Sequence, residues 1–137
     1  MTKVTYESWV SSLVENLATA LNLGGWHIHI SYTKKREQGS GCETYASITV
    51  NQDYQWANLE FYPLAKTDFA KKDIKRLVEA VVHELIHIFL DPFQDWMHPH
   101  LSKTTEDLFT STVEQQTQKL TRAFVPLLPK NLIPPLK

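Results

Sequence analysis

The sequence predicts a single α+β domain, from its length and from two kinds of hydrophobic pattern. The chain has 137 residues, of which 42% are hydrophobic and 21% are charged, which is typical of one globular domain with a core. Apolar residues recur every three or four positions near both ends, as on a helix face. In between, apolar and polar residues alternate, as in half-buried strands. We therefore expect residues 1–137 to form one domain: an N-terminal helix, a three-stranded sheet and further helices.

The first predicted element is an amphipathic helix from Tyr6 to Leu23. Gly24-Gly25 follows it, and glycine is common where helices end. The apolar positions share one helix face, which we expect to be buried; they are Trp9, Val10, Leu13, Val14, Leu17, Ala18 and Leu21.

Three alternating segments predict the strands. They run from Trp26 to Tyr32, from Thr44 to Val50 and from Tyr54 to Tyr62, with a polar loop from Lys34 to Gly41 and a turn at 51–53. Parallel neighbours need long crossover connections, whereas antiparallel neighbours need only short ones. We therefore expect a three-stranded antiparallel sheet.

The second half of the chain predicts helices. Leu77 to Leu90 is apolar on nearly every side, which indicates a helix buried in the core, with Thr67-Asp68 as a cap before it and Asp91-Pro92 ending it. An irregular stretch from Phe93 to Ser102 should lead to a last helix. That helix is expected over Thr105 to Phe124, with an inner side formed by Phe109, Val113, Leu120 and Phe124. The proline-rich tail, 126–137, predicts an extended strap or a frayed end.

Charge and composition exclude several classes of function. The 14 Lys and Arg residues against 15 Asp and Glu residues leave a net charge of -1, so we expect neither a nucleic-acid partner nor an anionic membrane surface. No uncharged stretch is long enough to span a membrane, and the N-terminus lacks a secretory signal pattern. Cys42 is the single cysteine, which excludes an intramolecular disulfide and fits a reducing compartment. The expectation is a cytoplasmic protein.

The chemistry-bearing motif is His83-Glu84-Leu85-Ile86-His87, an HExxH sequence inside the predicted buried helix. Histidines four residues apart lie one above the other on a helix, so both imidazoles can bind one metal ion. Glu84 is placed to act on a metal-bound water without being a ligand. Burying two imidazoles and a carboxylate without partners would cost several kcal/mol. We therefore predict a zinc site (Zn2+) with Glu84 as general base.

A third zinc ligand must come from elsewhere in the chain. Glu114, beside the inner side of the last helix, is the first candidate, and Glu106 in the same helix is the second. His98 and His100 form the third choice. The metzincin pattern is excluded, because it requires glycine at position 90 and histidine at position 93, where this chain has leucine and phenylalanine. We expect the two strand histidines to lie at the surface; they are His27 and His29.

The order of elements around the HExxH motif resembles that of the minimal gluzincins, and it is similar to small HExxH proteins of phages and prophages. The resemblance covers most of the chain, notably residues 21–26, 82–87 and 114–124. It implies a zincin-like fold and supports Glu114 over Glu106. Larger gluzincins carry an aspartate one turn after the third ligand to orient a histidine, whereas this chain has Thr117 and Gln118 there.

The expected function is hydrolysis of a peptide bond in a peptide or protein substrate. In zincins the substrate lies as an added strand along the sheet edge beside the metal, and Ala57 to Tyr62 is the expected edge. Five side chains remain open as stabilisers of the oxyanion: Tyr45, Tyr54, Tyr62, His98 and His100. Two alternatives differ in class. One is a zinc-binding phage interaction or scaffold protein without proteolytic activity, and the other is a Spartan-like protease with a histidine, such as His100, as third ligand.

Overall fold

The computed structural model of the chain describes residues 3–36, 38–39 and 42–137. Within these residues the fold is α+β, with four α-helices and a small three-stranded mixed sheet. The helices are α1 (Tyr6–Ala20), α2 (Pro63–Ala70), α3 (Ile74–Met97) and α4 (Lys103–Phe124). The strands are β1 (His27–Tyr32), β2 (Gln38–Gly39), β3 (Cys42–Glu43), β4 (Ala46–Asn51) and β5 (Trp56–Phe61).

Helix α1 has the expected buried face and a well-defined start and end. The Thr5 side chain caps its N-terminus by accepting a hydrogen bond from the Ser8 backbone N–H (3.2 Å). At the other end Asn22 adopts a left-handed conformation with φ 61°, and the Leu23 N–H donates to the Ala18 carbonyl (2.7 Å). This is the bonding pattern of a Schellman motif. The helix therefore ends before the glycine pair that the sequence indicated as its stop.

The sheet is mixed, so the prediction of a three-stranded antiparallel sheet is wrong. Its strand order is β1-β5-β4, with β4 antiparallel and β1 parallel to β5. The parallel pairing is feasible because residues 33–55, which include β4, form the long crossover that parallel neighbours need. As a consequence, β4 is an edge strand and β5, which contains most of the predicted edge segment, is the central strand.

The described part of the connection between β1 and β4 contains two short strands, where a polar loop was expected. Strands β2 and β3 pair antiparallel, with Gln38 opposite Glu43 and Gly39 opposite Cys42. Three residues of the predicted loop, Glu37, Ser40 and Gly41, lie outside the described residues.

Helix α3 carries the HExxH motif and is longer than the sequence indicated. Thr67-Asp68 does not cap it, because both residues lie inside α2, and Asp73 stands at the N-terminal boundary of α3 instead. Nor does the helix stop at Asp91-Pro92. It continues through Pro92 to Met97 and passes into a single 3-10 turn at 98–100, where an irregular stretch was expected.

A side chain from the turn after β4 explains how the helix continues through Pro92. Proline has no N–H to donate to the carbonyl four residues earlier, here that of Ile88. The Gln52 amide donates to this carbonyl instead (Nε2···O 3.1 Å) and also contacts Asp91 Oδ2 (3.3 Å). The same hydrogen bonds attach the end of β4 to α3.

We predict that Gln52 and Pro92 are energetically coupled. Gln52→Ala should destabilise the wild-type fold by about 1 kcal/mol, because the Ile88 carbonyl loses its donor. The same substitution in a Pro92→Ala background should cost less, since an alanine N–H can complete the helix hydrogen bond. A double-mutant cycle from urea unfolding measures this coupling; strictly additive effects would contradict it.

Helix α4 buries a face that only partly matches the expected one, since Phe109 and Val113 are half-buried as expected. Leu120 and Phe124, predicted on the inner side, are 38% and 40% exposed, whereas Thr117 and Thr121 are fully buried. Each threonine hydroxyl donates to the carbonyl four residues earlier, at 2.7 and 2.8 Å, so it is buried with its hydrogen bond made. The resulting rotation of α4 brings Glu114 beside α3.

The proline-rich tail is a strap rather than a frayed end. The Trp9 indole N–H donates to the Pro134 carbonyl (2.8 Å), and the Asn16 amide donates to the Leu132 carbonyl (2.9 Å). Both contacts fix the tail against α1. None of the described helices combines the length and the hydropathy that crossing a membrane requires.

Candidate metal centre

Helices α3 and α4 bring together the three predicted zinc ligands, His83, His87 and Glu114. One donor atom from each lies within 4.8 Å of the others. Glu114 Oε1 is 2.9 Å from His87 Nε2, Glu114 Oε2 is 3.2 Å from His83 Nε2, and the two Nε2 atoms are 3.2 Å apart. The imidazoles are mostly buried, with side-chain exposures of 16% and 12%, whereas the Glu114 side chain is 54% exposed. The carboxylate therefore faces the open side of the cluster.

The donor set fits a zinc ion. His83 Nδ1 lies 3.0 Å from Gln118 Oε1, and an amide oxygen can only accept, so the Nδ1 atom carries the proton. In a neutral imidazole the Nε2 atom is then a lone-pair acceptor. The His83 Nε2 atom faces two other atoms with lone pairs, a Glu114 carboxylate oxygen and His87 Nε2. A metal cation between the three atoms would attract all of them. Two imidazoles and a carboxylate are ligands that zinc accepts.

When His83 Nε2 also carries a proton, it donates to Glu114 instead, and the pKa shifts of the cluster reflect that state. Burial lowers the pKa of His83, but hydrogen bonding to Glu114 and the charges of Glu84 and Glu114 outweigh it, so the pKa is raised overall. Hydrogen bonds from His83 and His87 hold the pKa of Glu114 well below its usual range. The cluster thus favours positive charge at His83 and negative charge at Glu114.

Glu84 lies beside the cluster and outside the ligand set. Its burial raises the pKa of the carboxyl group to about 7, against the opposing effect of the two histidines. A carboxylate with a pKa near neutrality can both accept and release a proton under physiological conditions. This property is what a general base needs when it must pass the proton on.

The other candidate ligands lie elsewhere. Glu106 Oε1 is 3.1 Å from His98 Nδ1, so these two candidates pair with each other. The ring of His100 packs against Trp96, with the ring centroids 5.9 Å apart. Neither residue of the pair, nor His100, belongs to the ligand cluster found among the described residues. His27 and His29 are exposed on β1, as the alternation predicted.

A cleft runs between the free edge of β4 and helix α3, and it consists of two halves that share Ala46 and Glu84. The half beside His87 has a volume of about 340 Å³. The half beside His83 has a volume of about 250 Å³. Because Glu84 lines both halves, it lies at the middle of the cleft, next to the edge of β4.

A larger hollow, of about 750 Å³, lies between α1, α2 and the end of β1. Among the described residues its lining contains one carboxylate, Glu7, and neither histidine nor cysteine, so this part of the hollow lacks the donors of a metal site. Size alone would favour this hollow, but the chemistry favours the cleft.

Of the five side chains considered as oxyanion stabilisers, Tyr45 is the one that lines the described part of the cleft. Its hydroxyl oxygen is buried, and burial, together with Asp68, raises its pKa. The cleft therefore meets the ring of Tyr45 rather than its hydroxyl. Tyr54 is 80% exposed in a turn, and Tyr62 lines the larger hollow.

Gln118 is the functional residue that sequence reasoning missed. It lies four residues after Glu114, at the position where the resemblance led us to look for an aspartate, and its amide oxygen accepts the His83 Nδ1 proton. An amide can orient the imidazole as a carboxylate does, although without a negative charge. The spacing of one helical turn from Glu114 was the signal that could have identified it.

We predict that Gln118→Ala weakens zinc binding by about 10- to 100-fold, because His83 loses the group that fixes its ring and tautomer. Competition with a chromogenic chelator measures the affinity. Gln115→Ala, at an exposed position of the same helix, is the matched control and should bind zinc as the wild type does. Equal affinities in the two variants would exclude an orienting role for Gln118.

Comparisons of the chain with protein-family models, with characterised proteins and with solved structures found no match.

Proposed function

We propose that the chain is a zinc-dependent metallopeptidase of the minimal gluzincin-like type. His83, His87 and Glu114 would hold the zinc ion, and Glu84 would be the general base. The observation that carries the proposal is the convergence of these three donors within 4.8 Å beside a buried glutamate and an open strand edge. Zinc is favoured because imidazole and carboxylate suit it and its role needs no redox chemistry.

When bound, zinc supplies Lewis-acid chemistry, which polarises a carbonyl group and acidifies water. Glu84 accepts a proton from the attacking water and delivers it to the leaving amine. Gln118 keeps the His83 ring in one orientation throughout, through the 3.0 Å hydrogen bond at Nδ1.

The substrate is proposed to bind as an added strand on β4. Within the part of the chain that the structure describes, the strand pairs with β5 and with no other strand, so its other edge can exchange backbone hydrogen bonds with an extended peptide. That edge borders the cleft through Ala46, Ser47, Ile48 and Val50. This replaces the central strand, β5, as the expected substrate-binding edge.

Two features favour an enzyme over a zinc-binding interaction or scaffold protein. A structural zinc site has four protein ligands, whereas the cluster contains three among the described residues. A purely structural site would also have no use for Glu84, which is buried at the cost of a raised pKa. Three ligands leave a position for water or substrate.

The test is hydrolysis of a peptide pool by the zinc-loaded protein. A proteome-derived pool, incubated with protein and analysed by mass spectrometry, should yield new termini that disappear after chelation and return when zinc is added back. A chain that binds zinc but generates no zinc-dependent termini would favour the interaction or scaffold function.

A further inference from the structure

We infer that the cleft is electrically polarised and that Arg76 and Asp91 determine its specificity. The inference rests on the proposed function. The cleft would select peptides that carry a basic group on the amino-terminal side of the scissile bond and a carboxylate on its carboxyl-terminal side. The carboxylate can come from an acidic side chain or from the end of the peptide.

Arg76 is the one arginine or lysine in the described lining of the cleft, and it lies in the half beside His83. Its guanidinium group sits over the Tyr45 ring, 5.1 Å from the centroid, and 3.8 Å from Asp68 Oδ2. These two contacts hold the side chain in place while 54% of it stays exposed. Because 3.8 Å is too long for a hydrogen bond, the planar set of N–H donors remains available to a carboxylate.

The half beside His87 differs in that its described lining has no arginine or lysine. Its charged lining consists of carboxylates, those of Glu84, Asp91 and Glu114, and it contains no cation among the described residues. Zinc would engage Glu114, and Glu84 acts in the chemistry, so Asp91 is the carboxylate left for substrate. Gln52 contacts its Oδ2 atom at 3.3 Å and thereby positions it.

The direction of β4 relates this charge distribution to the direction of the substrate. Tyr45, directly before the strand, lines the Arg76 half alone, Ala46 lines both halves, and Val50 lines the Asp91 half alone. A peptide antiparallel to β4 therefore places its amino-terminal part at Asp91 and its carboxyl-terminal part at Arg76. A parallel peptide with the same charges would meet like charges at both ends. Antiparallel pairing is also slightly the more stable of the two.

Glu79 and the shared Glu84 line the Arg76 half as well, so that half carries two carboxylates beside its one arginine. A preference for carboxylates there must come from direct hydrogen bonds to the guanidinium group rather than from the long-range field. This makes the fork geometry of arginine essential, and a lysine should replace Arg76 poorly.

The decisive experiment compares two peptides of identical composition and opposite charge order. Both have a central apolar segment and blocked ends; one has lysine before the segment and glutamate after it, and the other has the reverse. Affinity is measured by fluorescence anisotropy with zinc-loaded Glu84→Gln protein, so that no peptide is consumed. We expect the lysine-first isomer to bind about tenfold more tightly, as two charge-assisted contacts at a partly exposed cleft allow. Equal affinities, a preference for the reverse isomer, or no binding would overturn the inference.

Substitutions at Arg76 test whether this residue causes the preference for the lysine-first isomer. Arg76→Gln and Arg76→Lys should each reduce the preference for the lysine-first isomer. The lysine variant keeps the positive charge, so a reduced preference there shows that the guanidinium geometry is needed. Lys75→Gln, at the exposed neighbouring position, is the matched control and should keep the preference. A third peptide, with a free carboxyl end in place of the glutamate, distinguishes the two sources of the carboxylate, since binding equal to that of the lysine-first isomer identifies the chain end as sufficient.

Hydrolysis by the wild-type protein separates this inference from the proposed function. Cleavage of both isomers at equal rates would uphold the peptidase and overturn the charge selection. Selective binding without any zinc-dependent cleavage would uphold the charge selection and contradict the peptidase.

Discussion

Replacing Glu84 by glutamine is expected to abolish peptide hydrolysis while leaving zinc binding and the fold intact. The amide has nearly the shape of the carboxyl group but cannot accept the proton of the attacking water, and loss of a general base typically costs a factor of about 10² to 10⁴ in rate. Glu84 lies outside the cluster of metal donors, so zinc content should not change. Initial rates on a cleaved peptide, together with zinc analysis of the same samples, measure both effects.

Glu106→Gln is the matched control for this substitution, since it removes the same charge at a site that pairs with His98 outside the cluster. It should retain the wild-type rate. Undiminished hydrolysis by the Glu84→Gln protein would eliminate Glu84 as the base. Loss of zinc from that variant would instead make Glu84 a part of the metal site.

The second large effect is the stabilisation of the fold by zinc. Zinc that binds only the native state stabilises it by about 4 kcal/mol when its free concentration is a thousandfold above Kd. For a chain of this length we expect a rise of roughly 10 to 15 °C in Tm between the chelated and the zinc-loaded protein. His83→Ala and His87→Ala should remove this rise, because each deletes a donor from the cluster.

Differential scanning calorimetry with and without zinc measures the rise in each variant. His29→Ala, at an exposed position on β1, keeps the three donors and should retain the full rise. A zinc-dependent rise of wild-type size in either cluster variant would mean that the ion binds elsewhere.

Local features of the fold could be predicted from the sequence because they depend on neighbouring residues. The apolar spacing of Trp9, Leu13 and Leu17 placed α1, and all three side chains are fully buried. Alternation placed β1, β4 and β5 to within about two residues, the usual uncertainty of such boundaries. The α+β class followed from these elements.

Features that depend on distant residues could not be predicted in the same way. The position of β5 between β1 and β4 is decided by packing of the whole sheet, which no local pattern encodes. The passage of α3 through Pro92 depends on a donor from Gln52, 36 positions from the carbonyl it serves. The inner face of α4 was misjudged because hydrophobicity favours Leu120 over Thr117, whereas the threonine satisfies its hydroxyl within its own helix.

In the candidate site, too, residues close in sequence could be predicted together, whereas tertiary contacts could not. His83, Glu84 and His87 lie within one helical turn and a half, so their juxtaposition follows from spacing alone. Glu114 was the first of several candidates from the helix pattern, and the resemblance supported it over Glu106; the pattern alone left the choice open because the approach of Glu114 to α3 is a tertiary contact. Gln118 and Arg76 were not identified, since glutamine and arginine are common on exposed helix faces and only the packing gives them a role.

The most direct test of the metal site is a crystal structure of the zinc-loaded protein with an anomalous difference map at the zinc absorption edge. We predict a single strong peak between α3 and α4, bound by His83 Nε2, His87 Nε2 and a Glu114 oxygen at about 2.0 to 2.2 Å. A peak bound by Glu106, His98 or His100 in place of Glu114, or one closed by a fourth protein ligand, would contradict the account.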